Sequence, residues 1–170
     1  VAPTGSGKTV MATEAVQRIE RPTLWLAHRK ELIEQAAKRL EAHGLPCGIV
    51  MGARPSNPLA PVQVASVATL ARRAPARWPD AGLIVIDECH RSLANTYRQV
   101  LDAYPGADVA GLTATPFRLD GRGLGDLFGE LVVAAYTDEL CEQGFLHAPK
   151  VWASHSPDLR GVKMLAGDYG

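Results

Sequence analysis

The chain has 170 residues, 46% hydrophobic and 21% charged, which is room for one domain with a sizeable core and little more. Its 18 Lys+Arg balance 18 Asp+Glu, excluding a uniformly basic nucleic-acid coat but not a local basic groove. No apolar run approaches the roughly 20 residues of a membrane helix, no signal peptide is evident, and three scattered cysteines exclude a disulfide framework, so a cytoplasmic protein without a membrane partner is expected.

The chain opens at Val1 without a methionine and reads as a piece of something longer. Residues Ala2-Pro3-Thr4-Gly5-Ser6-Gly7-Lys8-Thr9 follow the A-x-x-x-x-G-K-T pattern of a phosphate-binding loop. Polyphosphate is densely negative, and a helix N-terminus meets it with unpaired backbone N–H groups. Gly5 and Gly7 let the backbone curl into a nest that side chains would obstruct. Pro3, Thr4, Gly5, Ser6, Gly7, Lys8 and Thr9 are therefore the expected cradle. Lys8 would reach the β- and γ-phosphates, and the Thr9 hydroxyl would ligate Mg²⁺. Behind the loop, Ala12, Ala15, Val16 and Ile19 recur at helical spacing until Arg21-Pro22.

Thr23 to Ala27 reads as a buried strand, and Arg29 opens the helix that follows. That helix runs from Glu31 to Ala42, with Leu32, Ile33, Ala36 and Leu40 inward and Gly44 as its stop. Cys47 to Met51 is a short strand, Gly52 to Pro61 a proline-rich loop, and Val62 to Ala65 another strand. Ser66 and Thr69 sit at the next strand-to-helix junction. A short helix is expected over Val67 to Arg73 and a surface turn over Pro75 to Pro79.

Leu83-Ile84-Val85-Ile86 is an unbroken apolar run ending in Asp87-Glu88-Cys89-His90. Buried parallel strands read this way, and ligands sit at their carboxyl ends. Successive side chains diverge along a strand, which suits two jobs. Asp87 can hold Mg²⁺ through its water shell, and Glu88 can orient or deprotonate an attacking water. Cys89 is a small filler, and His90 is a hydrogen-bonding link from the site to something that moves. Asn95 to Ala103 is a helix, and Asp108 to Leu112 is the strand that delivers Thr113 and Thr115. Gly121 to Gly125 is a connection, Leu131 to Ala135 a strand, Thr137 the cap of a helix through Gln143, and Ala148 to Trp152 a last strand. Alternating strands and helices imply an α/β domain with a mostly parallel sheet.

The phosphate loop, Asp87-Glu88-Cys89-His90 and Thr113-Ala114-Thr115-Pro116, in this order, make the chain resemble the superfamily 2 DEAD/DEAH-type helicases and translocases. They look like motifs I, II and III of that superfamily, while Leu26 to Leu32 and Val64 to Leu70 are similar to motifs Ia and Ib. Gly111 to Arg118 looks most like the repair and restriction-motor branch, with bacterial and phage proteins nearest.

The resemblance implies a RecA-like P-loop domain over 1–153, lacking most of its first strand, and the start of a linker over 154–170. It implies ATP and Mg²⁺ as cofactors, with Lys8, Asp87, Glu88 and His90 catalytic and Thr113 and Thr115 coupling hydrolysis to motion. Nucleic acid, DNA before RNA, would be the track, with Arg29 the best candidate for a backbone contact and Ser66 and Thr69 weaker ones. A second RecA-like domain of the full-length chain would supply arginine fingers, so the isolated piece should be weakly active. The alternatives are a restriction subunit translocating on duplex DNA and a non-catalytic nucleotide-binding remnant. Without its first strand, Asp108 to Leu112 should expose an apolar edge and make the piece unstable alone.

Overall fold

The apolar runs of the sequence become the strands of one sheet. The computed structural model describes residues 1–52, 57–91, 95–116, 123–148, 150, 164–165 and 168–169. Strands β1 (Thr23–Ala27), β2 (Cys47–Val50), β3 (Val62–Ser66), β4 (Leu83–Asp87) and β5 (Asp108–Leu112) pair in parallel in the order β2-β3-β1-β4-β5. β1, β3 and β4 are buried along their whole length, as strands covered on both faces must be.

Alternation along these strands feeds two cores. Trp25, Val64 and Val85 point to one face, where they meet Ala12 and Val16 of α1 (Lys8–Ile19) and Ile33, Ala36 and Leu40 of α2 (Lys30–Ala42). Leu24, Leu26, Ile84 and Ile86 point to the other, against Leu70 of α3 (Val67–Ala71) and Tyr97 and Val100 of α4 (Asn95–Asp102). Each fully buried Leu or Ile contributes about 1.5–3 kcal/mol relative to exposure. α2 ends as expected: Gly44 takes φ +77°, and the Leu45 N–H reaches back to the Leu40 carbonyl at 2.9 Å. The expected turn at Pro75 is a short 3₁₀ segment, Pro75–Arg77, after which Trp78 stacks on Tyr104 with ring centroids 6.1 Å apart.

β5 is the edge of this sheet and, unlike β4, is only partly covered. Beyond it lies a residue of strand-like pairing: the Ala2 N–H donates to Thr113 O at 3.2 Å, the Val1 amino group to Val132 O, and the Ala134 N–H to Val1 O at 2.8 Å. The expected strand over Leu131 to Ala135 is therefore an irregular segment. A strand needs a ladder, and Val1 offers it only these two bonds. Leu131 and Val132 stay exposed.

The expected cap also shifts by one residue. Tyr136 is the N-cap of α5 (Thr137–Glu142), Thr137 is its first helical residue, and the Glu139 carboxylate accepts the Tyr136 N–H at 3.0 Å. A separate antiparallel pair joins β6 (Met164–Leu165) to β7 (Asp168–Tyr169). Most of the expected strand over Ala148 to Trp152, part of the Gly121 to Gly125 connection and most of the 154–170 linker fall outside the described residues. Among the described residues no helix is long and apolar enough to cross a membrane.

Candidate active site

Parallel pairing sends the carboxyl ends of the strands to one edge, and register fixes their alignment. Leu26 pairs with Ile86, Ala27 with Ser66, and Asp87 with Leu112. Arg29, Ser66, Asp87 and Thr113 thus all emerge at the same end of the sheet.

The loop before α1 is built on backbone that glycine favours. Gly5 and Gly7 both have φ +84°, where an L side chain is strained. Gly7 is the N-cap of α1 and no side chain caps it, which leaves first-turn N–H groups for an external acceptor. The Ser6 hydroxyl is buried without a hydrogen-bond partner. The Lys8 amine donates to the carbonyls of Ala2 and Pro3, each at 3.1 Å, which holds it within the loop.

At the end of β4 the chain turns sharply. Glu88 has φ +54°, a left-handed conformation that costs a non-glycine residue about 1–3 kcal/mol and that clusters at functional sites. The turn separates two acids. Asp87 is 8% exposed and its Oδ1 accepts the Glu88 N–H at 3.0 Å. Burial, and then the charge of Glu88, raise its pKa above the ordinary carboxylate range, opposed by the Glu88 N–H, Lys8 and Arg39.

The Glu88 carboxylate meets His90 instead, with Oε2 3.3 Å from Nδ1. The same Nδ1 lies 3.2 Å from the Thr113 hydroxyl. That hydroxyl donates its single proton to Thr115 O at 2.8 Å and accepts the Thr115 N–H at 3.1 Å. The contact between Thr113 and His90 then requires a proton on Nδ1, shared with Glu88. Glu88, His90, Thr113 and Thr115 form one chain of hydrogen bonds. Cys89 is buried, its thiol pushed up to about 11 by burial and so neutral and inert near pH 7.

The loop and the two acids share one cleft of about 270 Å³. Thr4, Gly5, Gly7, Lys8, Thr9, Asp87 and Glu88 line it, and Leu32, Gln35, Ala36 and Arg39 of α2 complete it. Pro3 and Ser6 belong to the loop without lining the cleft, and His90, Thr113 and Thr115 reach it through Glu88. No motif marks Gln35 and Arg39 as part of the α2 wall, and periodicity is their one sequence signal. Gln35 and Arg39 flank the inward stripe of Leu32, Ala36 and Leu40 at helical spacing.

Arg29, Ser66 and Thr69 lie on the same sheet edge but not in the cleft. Arg29 is the exposed N-cap residue of α2. Ser66 caps α3 by accepting the Thr69 N–H at 3.4 Å, and the Thr69 hydroxyl accepts the Gly52 N–H at 3.2 Å. Among the described residues no group of three or more His, Cys, Asp or Glu could hold a metal by itself. Thr9 and Asp87 are the groups here that could share one with bound phosphate.

Residues 1–118 match the family described as "Type III restriction enzyme, res subunit". The chain is 34% identical over 166 residues to irc3 of Schizosaccharomyces pombe, named as a mitochondrial ATP-dependent helicase, covering 87% of this chain and 27% of irc3. It is 32% identical over 167 residues to the Type I restriction enzyme EcoAI endonuclease subunit of Escherichia coli, covering 89% of this chain and 20% of that subunit. The chain therefore spans about a quarter of one relative and a fifth of the other. Among solved structures, the Hef helicase domain of Pyrococcus furiosus superposes with a TM-score of 0.57 at 25% identity, over 97% of this chain and 36% of that one. The parallel five-stranded sheet flanked by helices is the RecA-like fold of such domains.

Proposed function

The chain belongs to the family of Type III restriction enzyme res subunits, and on that premise we propose that it is the ATP-hydrolysing motor domain of a nucleic-acid helicase or translocase. The observation that carries this proposal is the meeting of Lys8 and Thr9 with Asp87 and Glu88 in one cleft at the carboxyl edge of the sheet. Uncapped N–H groups of α1 and the orphaned Ser6 hydroxyl fit a polyphosphate. Lys8 exchanges its two loop carbonyls for phosphate oxygens. Thr9 and Asp87 would hold Mg²⁺, since a buried carboxylate crowded by a second one suits a hard cation. When bound, Mg²⁺ neutralises charge on the phosphate oxygens.

Glu88 takes the proton of the attacking water, and the Nδ1–H of His90 fixes the orientation of its carboxylate. Loss of the γ-phosphate alters what Glu88 holds, and His90 passes that change to Thr113 and Thr115. A second RecA-like domain of the full-length chain, reached through residues 154–170, would move in response.

DNA is the favoured track, in keeping with the restriction-enzyme description of the family. Arg29 is the strongest backbone contact, because the Ser66 and Thr69 hydroxyls already serve backbone N–H groups around α3. The test is ATP hydrolysis by the full-length protein with and without DNA. Stimulation by DNA is expected, and equal rates in both would remove the motor assignment. The likeness to EcoAI favours a second reading, translocation on duplex DNA without strand separation. Displacement of a triplex-forming strand without release of a duplex strand would support it.

A further inference from the structure

We propose that Arg39 of α2 is a second phosphate-binding cation of this cleft, holding the terminal phosphate of a nucleoside triphosphate and setting the preference for triphosphate over diphosphate. The proposal rests on the reading of the cleft as a nucleotide site. α2 buries Ile33, Ala36, Ala37 and Leu40 against the sheet and leaves Gln35 and Arg39 exposed, one turn apart, along the cleft. Among the described residues, no carboxylate lies within ion-pair distance of the Arg39 guanidinium. Only its main chain is engaged, with Arg39 O accepting the His43 N–H at 3.1 Å and lying 2.8 Å from His43 Nδ1.

The charges of the cleft say what this side chain awaits. Asp87 and Glu88 are its acids, and Lys8, whose amine bonds the Ala2 and Pro3 carbonyls, is its other cation. Arg39 lines the cleft together with these two acids, and the acids mark the end at which hydrolysis would take place. The loop and Lys8 grip the β-phosphate and one side of the γ-phosphate, which leaves the other oxygens of the terminal phosphate toward that end. A guanidinium offers planar paired donors that match two phosphate oxygens, and a diphosphate leaves it without that partner.

The test is calorimetric titration of the full-length protein with ADP and with the non-hydrolysable β,γ-imido analogue of ATP, both with Mg²⁺. Arg39→Ala should weaken the imido analogue about tenfold and ADP by less than about twofold, as for one charge-assisted contact. Arg39→Lys, which keeps the charge but loses the fork, should fall between wild type and Arg39→Ala and also serves if the alanine variant folds poorly. Equal losses for both nucleotides, or none, would overturn the role of Arg39. Lys8→Ala separates the two ideas. If it weakens both nucleotides while Arg39→Ala fails to discriminate, only the α2 assignment falls. If Lys8→Ala changes neither, the nucleotide cleft itself falls.

Discussion

Lys8 borders two hollows of the same size, each about 270 Å³. One is the polar cleft of the phosphate loop, Asp87, Glu88 and α2. The other is an apolar groove between α1 and β5, lined by Met11, Ala15, Ile19, Ala110, Leu112 and Val132 among others. Volume does not distinguish them, but residue chemistry does. The cleft holds features that cost stability and repay it only through a ligand: an uncapped helix start, a buried acid beside a second one and a glutamate with φ +54°. The groove holds none of these. It is an apolar edge, where α1 and the partly covered strand β5 present apolar side chains.

Breaking the polar side of this comparison should have the largest effect. Glu88→Gln removes the base and keeps the shape, so hydrolysis by the full-length protein should fall about 10²–10⁴-fold while ATP binding persists. Equal turnover would remove Glu88 as the water-activating group. Breaking the apolar side should be visible without any substrate. Residues 1–170 by themselves should self-associate through β5 and the groove. Sedimentation of a monomer with one cooperative unfolding transition would show that the edge is no liability.

Smaller effects sharpen the polar side. Thr113→Val keeps the volume and deletes the hydroxyl that joins His90 to Thr115, so stimulation of hydrolysis by DNA should drop about tenfold with basal turnover little changed. A parallel loss of both rates would make Thr113 a mere prop.

Asp87 gives the smallest effect, and one with a definite sign. Its pKa is raised above the ordinary 3.8, so the folded chain holds that proton more tightly than the unfolded one. Stability therefore falls as pH climbs from 3.8 through the raised value, and the penalty persists above it. Asp87→Asn should melt higher than wild type at pH 7, with the gap closing under acid conditions, although it hydrolyses no ATP. A lower melting temperature at pH 7 would mean that the carboxylate is paid for by contacts the asparagine loses.

The sheet was legible in the sequence because strands covered on both faces are continuous apolar runs, as Leu24-Trp25-Leu26-Ala27 and Leu83-Ile84-Val85-Ile86 are. The loop and the acids were legible because their chemistry constrains residue type at close spacing. What escaped depends on partners distant in sequence. Leu131 to Ala135 has a strand-forming composition, yet pairing is decided by Val1 on the far side of the chain. The start of α5 turned on Glu139 accepting the Tyr136 N–H rather than on the hydroxyl of Thr137. Arg39 reads as a solvated helix charge until α2 is seen beside the phosphate loop. Neither the left-handed turn at Glu88 nor the proton on Nδ1 of His90 has a one-dimensional signature.

One titration bears most directly on the central claim, that Lys8 and the acids at the end of β4 form a single magnesium-nucleotide site. Binding of fluorescent ATP to the full-length protein is measured with and without Mg²⁺, in wild type, Lys8→Ala and Asp87→Ala. Wild type should bind tightly only with the metal, Lys8→Ala should lose binding under both conditions, and Asp87→Ala should lose the metal dependence alone. Unchanged, metal-dependent binding in both variants would place the nucleotide elsewhere on the molecule.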